Sequence, residues 1–158
     1  MFTELTQSPD GTARLAEMTG QRIREGTVLC LQGDLGAGKT LFAQCLARTL
    51  GVEGEVTSPT FNLMNVYTGI CPIYHFDLYR LTREEELDDI GFGEYTEAGE
   101  GIVIIEWPDK FPDALPEDYV LVQFEQVGEQ SRRITFSCVG DENEGFLKEL
   151  EEYIHAGH

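Results

Sequence analysis

Eight consecutive residues carry a chemistry that can be read from their order. Gly33-Asp34-Leu35-Gly36-Ala37-Gly38-Lys39-Thr40 satisfies G-x-x-x-x-G-K-[ST] at every fixed position. Gly33, Gly36 and Gly38 are expected to take backbone angles that a Cβ forbids, turning successive amides inward as an anion nest. Lys39 supplies a mobile charge for β- and γ-phosphates, and the Thr40 hydroxyl suits Mg2+. The pattern implies a bound nucleoside triphosphate, with Asp34, Leu35, Ala37 and Leu41 among the residues lining it. An Asn-Lys-x-Asp guanine reader does not occur in the chain, which favours ATP.

Phosphate chemistry with Mg2+ also asks for a carboxylate at the end of a neighbouring strand. Asp77 follows the run Ile73-Tyr74-His75-Phe76, and Glu106 follows Ile102-Val103-Ile104-Ile105. Each acid emerges where an apolar run stops, the ligand-binding edge of open α/β sheets. Asp77 is assigned to Mg2+, and Glu106 either to Mg2+ or to orienting an attacking water. Ser58-Pro59-Thr60-Phe61 is either a segment whose hydroxyls follow the γ-phosphate, with Thr60 among the catalytic residues, or an ordinary turn. Trp107 either packs in the core or shields the site beside Glu106, and is counted among the nucleotide-binding residues. The adjacent pair Arg132-Arg133 pins a nucleotide, faces a partner or, as the favoured reading, lies on a solvated strand.

These residues need elements to hold them. Ser8-Pro9-Asp10-Gly11 reads as a helix start, with Ser as cap, Pro at the first helical position and Asp at the positive end of the dipole. That helix is expected to run to Gly26. Residues 27–32 form a nearly all-apolar run, the profile of a strand buried on both faces. A helix over about 39–50 follows, ended by Gly51. Residues 61–68 and 71–76 predict one hairpin, and 119–127 and 132–139 another across Gly128-Glu129-Gln130. Residues 83–90 read as a short acidic helix ended by Gly91, Ile102–Ile105 as a second central strand, and Phe146, Leu147, Leu150 and Ile154 as the stripe of a last helix. The expected fold is a single α/β domain over residues 1–158, a P-loop domain with a mixed parallel and antiparallel sheet flanked by helices.

Composition narrows the partners. The chain has 29 acids against 11 bases, a net charge of −18 over 158 residues. That excludes broad electrostatic capture of nucleic acid or anionic lipid, which needs clustered Lys and Arg. With 41% hydrophobic and 10% aromatic residues the chain has enough apolar material for a packed core. Cys30, Cys45, Cys71 and Cys138 contain no C-x-x-C pair, and the histidines at 75, 155 and 158 make no ligand spacing with them, so no zinc site is expected. No targeting segment or membrane-length apolar run is seen, so a soluble, cytoplasmic protein without membrane contact is expected. No base lies between Arg83 and Lys110, and that acidic stretch is either a solvated face or a docking surface for a basic partner.

The loop Gly33–Thr40, Ser58-Pro59-Thr60-Phe61, His75-Phe76-Asp77-Leu78-Tyr79-Arg80-Leu81 and Glu106-Trp107-Pro108, in this order, resemble the bacterial TsaE (YjeE) family from about residue 8 to 136. The H-F-D-L-Y-R and E-W-P elements are more specific than the phosphate loop. The resemblance implies a small ATPase acting with the TsaD and TsaB proteins to form threonylcarbamoyladenosine at adenosine 37 of tRNAs that read codons beginning with A. It implies that Thr40 and Glu106 contact Mg2+, that Asp77 supports the metal, and that Thr12 and Arg133 border the adenine. Contact with tRNA would be indirect, through the partners. The residues taken alone also fit a P-loop small-molecule kinase or a nucleotide-gated binding module without significant hydrolysis.

Overall fold

The computed structural model describes residues 1–34, 36–54, 56 and 64–156. The chain runs β1 (Phe2–Thr6), α1 (Pro9–Arg22), β2 (Val28–Gly33), α2 (Lys39–Thr49), β3 (Met64–Thr68), β4 (Pro72–Asp77), α3 (Glu85–Asp89), α4 (Phe92–Glu97), β5 (Ile102–Glu106), β6 (Tyr119–Gln126), β7 (Arg132–Val139) and α5 (Glu144–His155). Among the described residues seven strands form one sheet in the order β1-β7-β6-β2-β5-β4-β3. β6, β2, β5 and β4 are mutually parallel, while β3 and β7 pair antiparallel with β4 and β6, and β1 pairs antiparallel with β7. The mixed sheet is the expected one.

Alternation along the central strands divides the core in two. Leu29, Leu31, Ile102 and Ile104 pack with Phe42 and Leu46 of α2, Leu15 of α1 and Leu150 of α5. Val28, Cys30, Val103 and Ile105 face the other way, onto Phe76, Leu87 of α3 and Phe92 of α4. The acidic stretch thus lies across the sheet from α2, with Leu87 and Phe92 anchoring its two short helices. The same alternation puts His75, Asp77 and Glu106 on the α2 face, continuing the rows of Ile73 and of Ile102 and Ile104.

Several boundaries differ from expectation, each for a local reason. Ser8 does cap α1, accepting from the Gly11 amide at 3.2 Å, but the helix stops at Arg22 rather than Gly26. Ile23 is already extended (ψ 146°), and the next residues turn the chain into β2, with the Gly26 amide donating to Gly101 O at 2.6 Å. Gly91 follows the end of the acidic helix as expected, but as a left-handed junction (φ 72°) it leads at once into α4, which is not among the expected elements. β1 is not among the expected elements: its burial alternates but its polarity does not follow, since Leu5 is exposed while Glu4 and Thr6 take the inward positions. Residues 61–63, expected to open the first hairpin, and the Ser58–Phe61 segment with Thr60, lie outside the described residues, as does Leu35.

Candidate functional site

The loop lies between the end of β2 and the start of α2. Its glycines are needed for two different reasons. Gly36 and Gly38 have φ of 80° and 106°, where a side chain is strained. Gly33 does not, which corrects the expectation for it. There the limit is space, because a Cβ would stand 2.7 Å from Phe124 O and 3.0 Å from Phe124 Cβ on β6. The Ala37 amide donates to Asp34 O at 3.1 Å, closing the turn. Gly38, as the residue before α2, offers no side-chain cap, so the helix amides at this end stay available to an anion, whereas α1 covers its own with Ser8.

Lys39 begins α2 and folds back over the loop. Its Nζ donates to Gly33 O at 2.5 Å and sits 3.6 Å from the centre of the Trp107 ring, leaving the residue 5% exposed. Burial lowers its pKa below the ordinary lysine value, while Glu106, Asp77, Asp109 and Asp34 pull it back up. Trp107 reaches this position from a left-handed backbone (φ 61°), the only non-glycine residue with positive φ among those described. Such a conformation is strained by roughly 1–2 kcal/mol. Tyr79 supports the indole, with ring centroids 4.8 Å apart, and Lys110 Nζ donates to Tyr79 O at 3.2 Å.

The two strand-end carboxylates are register partners on β4 and β5, Asp77 opposite Glu106. Glu106 is 3% exposed and lies 2.6 Å, Oε2 to Nε2, from His75, itself 1% exposed. Asp77 Oδ1 accepts from the Tyr79 amide at 3.0 Å. Desolvation raises the Asp77 pKa above the usual carboxylate value, outweighing the Tyr79 amide, and the charge of Glu106 adds to the rise. Two acids side by side against a single buried lysine make a hard-oxygen, anion-rich corner that suits a divalent cation. No group of three or more His, Cys, Asp or Glu placed to hold a metal occurs among the described residues. A cation here would therefore draw further ligands from water and phosphate, as Mg2+ does.

The remaining residues named from sequence fall into place unevenly. Thr40 is exposed on the first turn of α2, and Leu41 beside it is half-buried. Thr12 is buried beneath the loop, hydrogen-bonded to the Thr6 hydroxyl at 2.8 Å, with its methyl 3.9 Å from where a Gly38 Cβ would stand. Arg133 pairs with Glu125 at 2.9 Å in an exposed cross-strand contact between β7 and β6 and lines a cavity of about 390 Å³ together with Gly33, Asp34, Ala37 and Phe124. Two residues to which the sequence lends no firm role are tied directly to the site. Arg132 donates from Nε to Ala37 O at 3.1 Å and from Nη2 to Gly36 O at 3.2 Å, bracing the loop from β7. His75 stands within a recognised motif, and a buried histidine two residues before a strand-end acid is the available signal for its contact with Glu106.

A buried parallel strand, a glycine loop and an uncapped helix, facing carboxylates on neighbouring strands, define a P-loop domain on a mixed sheet. The family described as "Threonylcarbamoyl adenosine biosynthesis protein TsaE" matches residues 6–134, and the chain belongs to it. It is 38% identical over 149 residues to the tRNA threonylcarbamoyladenosine biosynthesis protein TsaE of Bacillus subtilis (94% of this chain, 92% of the relative). It is 41% identical over 131 residues to the protein of that name from Treponema pallidum (83% and 96%). The crystal structure of Bacillus subtilis YdiB superposes with a TM-score of 0.79 at 33% identity, covering 97% of this chain and 95% of that one. No described helix is long and apolar enough to cross a membrane.

Proposed function

We propose that this chain, as one nucleotide-binding domain, binds ATP with Mg2+ and hydrolyses it to sustain formation of threonylcarbamoyladenosine at position 37 of tRNAs reading codons that begin with A. The observation that carries the reading is the convergence on Lys39 of the uncapped α2 terminus and the Asp77–Glu106 pair. TsaD and TsaB are the proposed partners, and they hold the tRNA. A net charge of −18 argues against a direct grip by this chain. The names of the relatives support the pathway assignment. A cytoplasmic location goes with it.

In this reading the amides of the loop and of the first turn of α2 bind the phosphates. Lys39 exchanges Gly33 O and the Trp107 ring for β- and γ-phosphate oxygens and absorbs charge as it develops. Thr40, Asp77 and Glu106 are the residues to hold Mg2+, either directly or through water. Bound Mg2+ supplies Lewis-acid neutralisation of phosphate oxygens. Glu106 also orients water for in-line attack on the γ-phosphorus, Trp107 covers the site, and Thr60 responds to the γ-phosphate. Thr12 and Arg133 lie toward the base. Lys39→Ala is expected to abolish nucleotide binding measured by calorimetry, and unchanged affinity would remove the basis of the proposal. Glu106→Ala is expected to bind ATP yet fail to support tRNA modification with the partners present.

A further inference from the structure

His75 takes no part in the phosphate chemistry, yet it is among the most completely enclosed polar residues in the molecule. It lies in the middle of β4 with Ile104 of β5 as register partner, and its Nε2 reaches 2.6 Å to Glu106 Oε2. Its other ring nitrogen, Nδ1, is buried and has no hydrogen-bond partner among the described residues. Leaving a buried ring nitrogen unmatched forfeits its hydration with nothing in return. A residue kept only to fill space would be better served by an apolar side chain of similar size, since the register partners of His75, Ile104 and Asn65, leave Nδ1 unmatched among the described residues. The compensating contact is the one to Glu106. A carboxylate at a strand end has two free torsions beyond Cβ, and water-orienting or metal-holding work requires those torsions fixed.

We propose that His75 is the positioning residue for Glu106: its Nε2–H donates to Oε2 and fixes the carboxylate plane, leaving Nδ1 as a bare, dry acceptor. The inference rests on the reading of Glu106 as the residue that orients water or holds Mg2+. It assigns the histidine of the H-F-D-L-Y-R segment to the acid of the E-W-P segment, joining two motifs 31 residues apart through one hydrogen bond.

Two measurements test it on the full chain. The protein has three histidines, so 15N-histidine spectra of the unsubstituted protein, assigned by loss of one ring in His75→Gln, report the His75 protonation directly. A proton on Nε2 is expected, and a bare Nε2 overturns the proposal whatever happens to any variant. The second measurement compares His75→Gln, whose amide nitrogen can reach the Nε2 position, with His75→Asn, whose amide cannot. His75→Asn is expected to lower kcat for ATP by about ten- to one-hundred-fold, with KM within about twofold, and to shrink the gain in ADP affinity given by Mg2+. His75→Gln is expected to recover most of both losses. Equal losses in the two variants, or a rise in KM with kcat kept, overturn the positioning role. Should the unsubstituted protein bind nucleotide but never hydrolyse it with its partners, the hydrolysis reading fails. His75 is then judged on its tautomer and on the Mg2+-dependent ADP affinity.

Discussion

Arg132→Ala tests how the loop keeps its shape without nucleotide. The guanidinium holds Gly36 O at 3.2 Å and Ala37 O at 3.1 Å, while its Nη1 turns back to Ser131 O at 3.0 Å. Peptide planes are rigid, so holding Ala37 O on one side holds the Gly38 N–H on the other. The arginine therefore fixes the direction of the Gly38 amide, one of the phosphate donors in the proposed function. A hydrogen bond from a charged donor contributes about 1.5–3 kcal/mol when buried, and exposed charged contacts contribute about 0–1 kcal/mol. One of the two loop contacts is half-buried and the other exposed, which gives roughly 1–2 kcal/mol for the pair. If that restraint serves binding, Arg132→Ala should weaken ADP–Mg2+ by about five- to thirty-fold. Titration calorimetry reads this, with thermal unfolding as a check that the variant is folded. Arg132→Lys should recover only part, because an ammonium cannot span two carbonyls in a fixed fork. A folded Arg132→Ala protein with affinity within twofold of the parent would refute the bracing account.

Gly33→Ala should destabilise the protein by about 1–3 kcal/mol, read by chemical denaturation, because the new methyl meets a ladder carbonyl at 2.7 Å that β6 cannot withdraw. Native stability in that variant would contradict the close approach of β2 and β6. Asp77→Asn should raise the melting temperature of the nucleotide-free protein at neutral pH while impairing Mg2+-dependent binding. The sign follows from the raised Asp77 pKa: between the ordinary carboxylate value and the raised one the folded state holds the extra proton, so stability falls as pH rises through that window. The amide escapes this loss, and its advantage should vanish once the pH drops below the ordinary carboxylate range. A melting temperature equal to the parent's at every pH would show that burial does not disfavour the Asp77 anion.

The parts of the site legible in the sequence are those encoded over short stretches. The Gly33–Thr40 loop, the run that forms β2, and the acids closing β4 and β5 each declare themselves within ten residues or so. What stays hidden there depends on register between distant segments. Arg132 and Arg133 are adjacent and chemically alike, yet alternation along a strand lets the first donate to the loop carbonyls while the second pairs with Glu125. Nothing local marks β6 as the neighbour of β2, and β1 shows its burial only against β7. Gly33 is legible as a glycine for the wrong reason, because a close approach leaves no mark in the dihedral preferences of a single segment. His75 is visible as a letter in a motif, and its link to Glu106 needs β4 and β5 to be aligned.

The order in which the chain leaves the ribosome sets a timetable for this fold. β1 and the loop precede β6 and β7 in the chain, but β1 pairs with β7, β2 takes β6 as one of its neighbours, and Arg132 belongs to β7. A nascent chain that has exposed the glycine loop therefore still lacks the sheet edge that shelters its first strand and the brace that shapes the loop. In the proposed function, competence for phosphate waits until the β6–β7 hairpin docks. Until then the early strands present unpaired edges, the state in which chaperones and aggregation compete for a chain.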